Sequence, residues 1–145
     1  DDDGTRRVRL EAILHPAVRV SREALNSLGH LLREADFGQL MTMVGEVAVE
    51  EQAMALVTAS QRMRAWPSLE LLLRIAGDCG EGGRPWAMGA LSEWTPGDDE
   101  RYAVPPPSAQ RARSIKTAFA DAGPVLTLPL RVRLTRLTAG LVELE

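Results

Sequence analysis

With 145 residues, 45% of them apolar and 26% charged, the chain can bury one respectable core and is too short for two ordinary domains. No run approaches the roughly 18 to 20 apolar residues of a membrane span, and Asp1-Asp2-Asp3-Gly4 lacks the basic and then apolar pattern of a secretory signal, so a soluble protein that is not secreted is expected. The formal charge of -3 conceals a division: residues 1–100 carry 10 basic and 17 acidic side chains (-7), residues 101–145 carry 7 and 3 (+4), which argues against a uniformly basic nucleic-acid binder.

Thr5 to Leu14 reads as a strand or a short amphipathic helix closed by Pro16. After the connector Val18-Arg19-Val20, Ser21 is the expected N-cap of a long helix, with Glu23 adding negative charge in its first turn. Ala24, Leu25, Leu28, Leu31, Leu32, Ala35, Leu40, Met43, Val44, Val47 and Ala48 recur at three- and four-residue spacing, which predicts one apolar face over about residues 22–51. Asp36-Phe37-Gly38 is a candidate break, so two shorter helices stay open as an alternative.

Ala55 to Thr58 is β-prone, Ser60 is a second candidate N-cap, and Pro67 suits the first turn of a helix carrying Leu69, Leu71, Leu72, Leu73 and Ile75. A glycine-rich loop is expected over 77–83, then a helix or strand over Trp86 to Trp94. Thr95 to Pro107 has the composition of a linker, so the domain is placed at 5–95, the linker at 96–107 and a C-terminal extension at 108–145. Ser108 to Ala122 reads as helical, and Val125 to Leu137 alternates apolar and polar residues.

Motifs for chemistry are sparse. His15 and His30 stand in no metal-ligand or triad spacing, the single Cys79 excludes an internal disulfide, and the loop Gly80-Glu81-Gly82-Gly83 lacks the Lys-Ser/Thr of a phosphate cradle. Asp98-Asp99-Glu100 reads as a solvated linker rather than a cation site. The expectation is a chain without enzymatic activity, metal or cofactor.

His15-Pro16, then Ser21, Ala24, Leu25 and Leu28, resembles core histone two-B, in which a His-Pro ends the first helix and a serine caps the long one. Leu31, Leu32, Phe37, Leu40 and Val47-Ala48 extend the similarity, and Val57-Thr58-Ala59-Ser60 resembles the family's second loop. After the linker, Leu128-Pro129-Leu130-Arg131-Val132-Arg133 looks like the entry to a histone two-A unit, the order found in viral histone doublets. The bare second loop, without Arg or Lys over 50–58, and the acidic main domain depart from the family.

The resemblance implies an all-α histone fold: short helix, long central helix, short helix and C-terminal helix. It implies pairing with another histone-fold protein or unit through Leu25, Leu28, Leu32, Phe37, Leu40, Met43, Val44 and Val47, because a long apolar stripe needs a partner to cover it. It implies packaging of double-stranded DNA without sequence specificity, through Arg6, Arg7, Arg9, Arg19, Arg22, Arg62, Arg131, Arg133 and Arg136, in a nucleus or virion or otherwise in the cytoplasm. Two other readings stand beside it: a histone-fold subunit of a transcription or assembly complex with little DNA contact, and an unrelated helical adaptor recruiting an effector through the Leu69 to Ile75 face. The adaptor predicts separate helices across Asp36 to Gly38.

Overall fold

The computed structural model describes residues 3–29, 32–96, 105–139 and 141. His30, Leu31 and the Asp98-Asp99-Glu100 cluster lie outside the described residues. Those residues form an all-α protein of helices α1 (Asp3–Glu11), α2 (Val18–Leu28), α3 (Phe37–Val44), α4 (Glu50–Gln61), α5 (Ala65–Asp78), α6 (Gly80–Glu93), α7 (Ala109–Ala122) and α8 (Leu128–Leu137), with short 3-10 turns at Ala12–Leu14, Glu34–Asp36 and Gly123–Val125. None of these helices is long and apolar enough to cross a membrane.

The long central helix expected over 22–51 does not form. α2 stops at Leu28 because Gly29 takes φ +86°, a conformation that side-chain-bearing residues rarely adopt. The carboxylate of Asp36 then organises the connection: it accepts the backbone N–H of Arg33 at 2.8 Å and a two-pronged contact from Arg6 at 2.8 and 2.6 Å, tying α1 to the start of α3. Leu32 N–H donates to the Arg62 carbonyl at 2.9 Å, so the same connection is also fixed to the α4–α5 turn. The arrangement implied by the histone resemblance, one long helix awaiting its partner's, is therefore replaced by two shorter helices, α2 and α3, and the break falls after Leu28 rather than at Asp36-Phe37-Gly38, where the 3-10 turn runs directly into α3.

Several local expectations shift as well. Val18-Arg19-Val20 is the first turn of α2, and Ser21 is buried inside it, donating its hydroxyl to the Ile13 carbonyl at 2.6 Å rather than capping. The β-prone 55–58 stretch lies within α4, where Ser60 back-bonds to Leu56 at 2.8 Å; the cap comes from Gln52, whose Oε1 accepts the N–H groups of Ala48 and Val49. The expected glycine loop is mostly helix: α5 runs to Asp78, the chain turns at Gly80 with φ +68°, and α6 begins at once.

α5 is the centre of the molecule. Leu69, Leu71, Leu73, Ile75 and Ala76 are fully buried and Leu72 nearly so, with α3, α4, α6 and α7 packed around them. At about 1.5 to 3 kcal/mol for each fully buried aliphatic side chain, this helix supplies a large share of the driving force. The face 69–75 is thus a core face and is closed to an effector.

The boundary expected at the proline-rich stretch does not divide the core. Ser108 caps α7 by accepting the Arg111 N–H at 3.1 Å, and Ala112, Ile115, Ala118 and Ala122 are buried against α5, with Gly77 allowing the Ala122 backbone within 3.6 Å of where a Cβ would stand. Trp66 donates its indole N–H to the Pro105 carbonyl at 2.9 Å and packs 5.5 Å from the Trp94 ring, which anchors the end of the linker. Val125 to Leu137 is not an alternating strand: Thr127 caps α8 by accepting the Leu130 N–H, and Leu130 and Leu134 enter the common core.

Candidate interaction surface

α4 lies between α2 and α6. Its residues Ala53, Leu56, Val57 and Ala59 point inward, while Met54 stands 38% exposed on the outside. One groove of about 300 Å³ runs between α2 and α4, lined by His15, Val18, Arg22, Leu25, Met54 and Arg62 among others. A second, of about 440 Å³, runs between α4 and α6 past Met54, Val57, Gln61, Trp86, Ala90 and Glu93. Met54 and Thr58 border both, so the two grooves form one surface with α4 as its ridge.

Apolar groups are exposed along that surface: Val18 at 52%, Trp86 at 41% and Met54. Trp86 is held in place by its indole N–H, which donates to Glu50 Oε1 at 2.9 Å. The helices meet closely at one end, where a Cβ on Gly83 would stand 3.0 Å from Ala53 Cβ, and Gly89 leaves space on the groove side of α6. An aromatic anchor with a satisfied polar tip, beside an adaptable methionine, is the chemistry of a protein contact.

The residues expected at a dimer interface lie elsewhere. Leu25, Leu28, Leu32, Leu40, Met43 and Val44 are buried in the chain's own core, and Phe37 and Val47 are partly buried against it. They are already covered, so they cannot form the stripe that a partner histone would complete. Arg111 of α7 lies over the Phe37 ring at 3.9 Å from its centroid while pairing with the buried Glu70 at 3.1 Å and with Glu34.

The arginines assigned to DNA are not brought together. Arg6 is bound to Asp36, Arg62 donates to the Leu25 and Gly29 carbonyls at the end of α2, and Arg133 donates to the Trp94 carbonyl at 2.6 Å at the end of α6. These three satisfy internal acceptors that their own fold would otherwise leave bare. Arg7 and Arg19 form exposed pairs with Glu11 and Glu23, and Arg9 is half-buried on α1. Arg22 is exposed beside the first groove, and Arg131 and Arg136 are exposed on α8.

The polar chemistry within reach is modest. His15 Nδ1 accepts the Ala17 N–H at 3.0 Å in a local turn. Burial, with the charge of Asp78 adding to it, pushes the Cys79 thiol up to about 11, so it is protonated at neutral pH, and its Sγ lies 3.6 Å from the Val44 carbonyl. Among the described residues there is no group of three or more His, Cys, Asp or Glu placed to hold a metal ion. No family model, curated protein or solved structure matches the chain.

The surface residues Met54, Trp86 and Glu93 were not singled out from sequence as site residues. A usable signal existed for Met54, an apolar residue outside the buried positions 53, 56, 57 and 59 of a helical register, but only if 50–61 is first recognised as a helix.

Proposed function

We propose that this chain is a non-enzymatic, helical protein–protein interaction module that engages its partner through the α2–α4–α6 surface. The observation that carries this reading is the joined pair of grooves on which Val18, Met54 and Trp86 remain exposed although the chain's own apolar stripe is closed. The separation of α2 from α3, which falls after Leu28 rather than at Asp36 to Gly38, favours the adaptor class of reading over a packaging histone, whose resemblance rests on sequence alone. Its recruiting face, however, is the α4 ridge and not the buried 69–75 face.

The test is site-specific photo-crosslinking of the full chain in cells that express it. A photoreactive residue at Met54 or Trp86 is expected to capture a protein, and one at Thr42, on the polar side between α1 and α3, is expected to capture none. Capture of DNA from Arg7, Arg19 or Arg131 with nothing captured at Met54 would overturn the proposal in favour of packaging.

A further inference from the structure

The exposed face of α8 is unusual for a surface helix. Leu128 and Val132, one turn apart, are 65% and 49% exposed, and Arg131 and Arg136 are exposed beside them. At about 100° per residue the four fall within an arc of about 140°, with the apolar pair between the two guanidinium groups. The opposite side of the helix is fixed: Leu130 and Leu134 are in the core and Arg133 is bound to the end of α6. The outer face is therefore turned away from the core formed by the described residues.

The α4–α6 groove has the complementary character. Its apolar residues Met54, Trp86 and Ala90 lie beside Glu93, with Glu50 at the Trp86 indole, and no Lys or Arg is among its lining residues. The wider charge division of the sequence, -7 over residues 1–100 and +4 over 101–145, matches this local contrast. α8 has 10 residues and α4 has 12, about 15 and 18 Å of helix, so the one fits the length of the other.

We infer that α8 of one copy docks into the α4–α6 groove of a second copy, Leu128 and Val132 against Met54 and Trp86, and Arg131 and Arg136 towards Glu93 and Glu50. The inference rests on the reading of the groove as an interaction surface and names a second copy of this chain as its occupant. The two patches are different surfaces, so the contact is heterologous. After one contact the pair keeps one free groove and one free α8, and assembly proceeds head to tail into chains or a closed ring. The opposed charges make it weaken with salt.

Sedimentation velocity of the full chain tests this with two variants altered only at exposed positions, Arg131→Glu/Arg136→Glu and Met54→Lys/Glu93→Arg. The parent is expected to grow in mass with concentration, less so in about 500 mM than in about 50 mM salt. Each variant alone is expected to associate at least about ten-fold more weakly. Mixed one to one, the variants are expected to regain association, because the groove left intact in one meets the α8 left intact in the other and the altered faces carry reversed, opposite charges. A parent that stays monomeric at low salt, a variant that associates like the parent, or a mixture that stays monomeric overturns the inference. A monomeric parent whose Met54 position still crosslinks to a different protein removes the self-association and leaves the interaction reading; failure of both removes both.

Discussion

Four arginines, Arg6, Arg62, Arg111 and Arg133, act as internal fasteners, each ending on a buried carboxylate or on carbonyls at a helix end. The guanidinium fork suits this role because it meets two acceptors at once. At Asp36, burial on its own raises the carboxyl, but the hydrogen bonds from Arg6 and from the Arg33 N–H outweigh it and hold the group below its ordinary value. The folded-state value being the lower one, the pair's contribution is complete above the unfolded carboxyl value of about 4 and is lost as pH falls through the folded one. Asp36→Ala is predicted to cost about 3 kcal/mol at pH 7, since it strands Arg6 in a largely buried position. The gap to the parent should narrow as urea melts are repeated below about pH 4, and a gap that stayed constant across the acid range would contradict this account of Asp36.

At the scale of elements, the helical class was more legible than the number of helices or their ends. The apolar periodicity over 22–51 marks the buried sides of α2 and α3, Ala24, Leu25 and Leu28 on one and Leu40, Met43 and Val44 on the other, while Ala35 and Ala48 are exposed; periodicity carries across a break when the flanking helices bury the same side. The break depends on Gly29 and on an Arg6–Asp36 contact thirty residues apart in sequence, which no local pattern reveals. α7 was legible through Ser108 and its apolar spacing, whereas its docking on α5 was not, because proline and glycine composition is shared by linkers and by tight connections. The Met54–Trp86 surface was not legible, since it requires knowing that α4 and α6 lie side by side.

That packing makes a prediction. Helix propensity alone favours Gly→Ala by about 1 kcal/mol, but a Cβ at Gly83 would stand 2.7 Å from Cys79 Cβ and 3.0 Å from Ala53 Cβ. Gly83→Ala is expected to destabilise by about 1 to 2 kcal/mol. Gly89→Ala, on the same helix with nothing within 4 Å of the added Cβ, is expected to stabilise by about 0.5 to 1 kcal/mol. Equal shifts of both midpoints in thermal melts would contradict the close α4–α6 approach.

At the scale of the whole molecule, one core runs from Leu10 to Leu141 and crosses the proline-rich stretch. A chain that closes its apolar stripe by itself does not need a partner in order to fold, and the proposed contact surfaces, the α4 ridge and the outer face of α8, lie outside that stripe. This separates the present account most sharply from a histone-like one, in which folding waits on pairing. The direct measurement is equilibrium urea unfolding of the Arg131→Glu/Arg136→Glu variant of the 145-residue chain, which removes the proposed head-to-tail contact, followed by far-ultraviolet circular dichroism and tryptophan fluorescence over about a hundred-fold range of protein concentration. The account predicts one cooperative transition, coincident by both probes and with a midpoint independent of concentration. A midpoint that rises with concentration, or a separate earlier melting of the helices beyond residue 105, would contradict it.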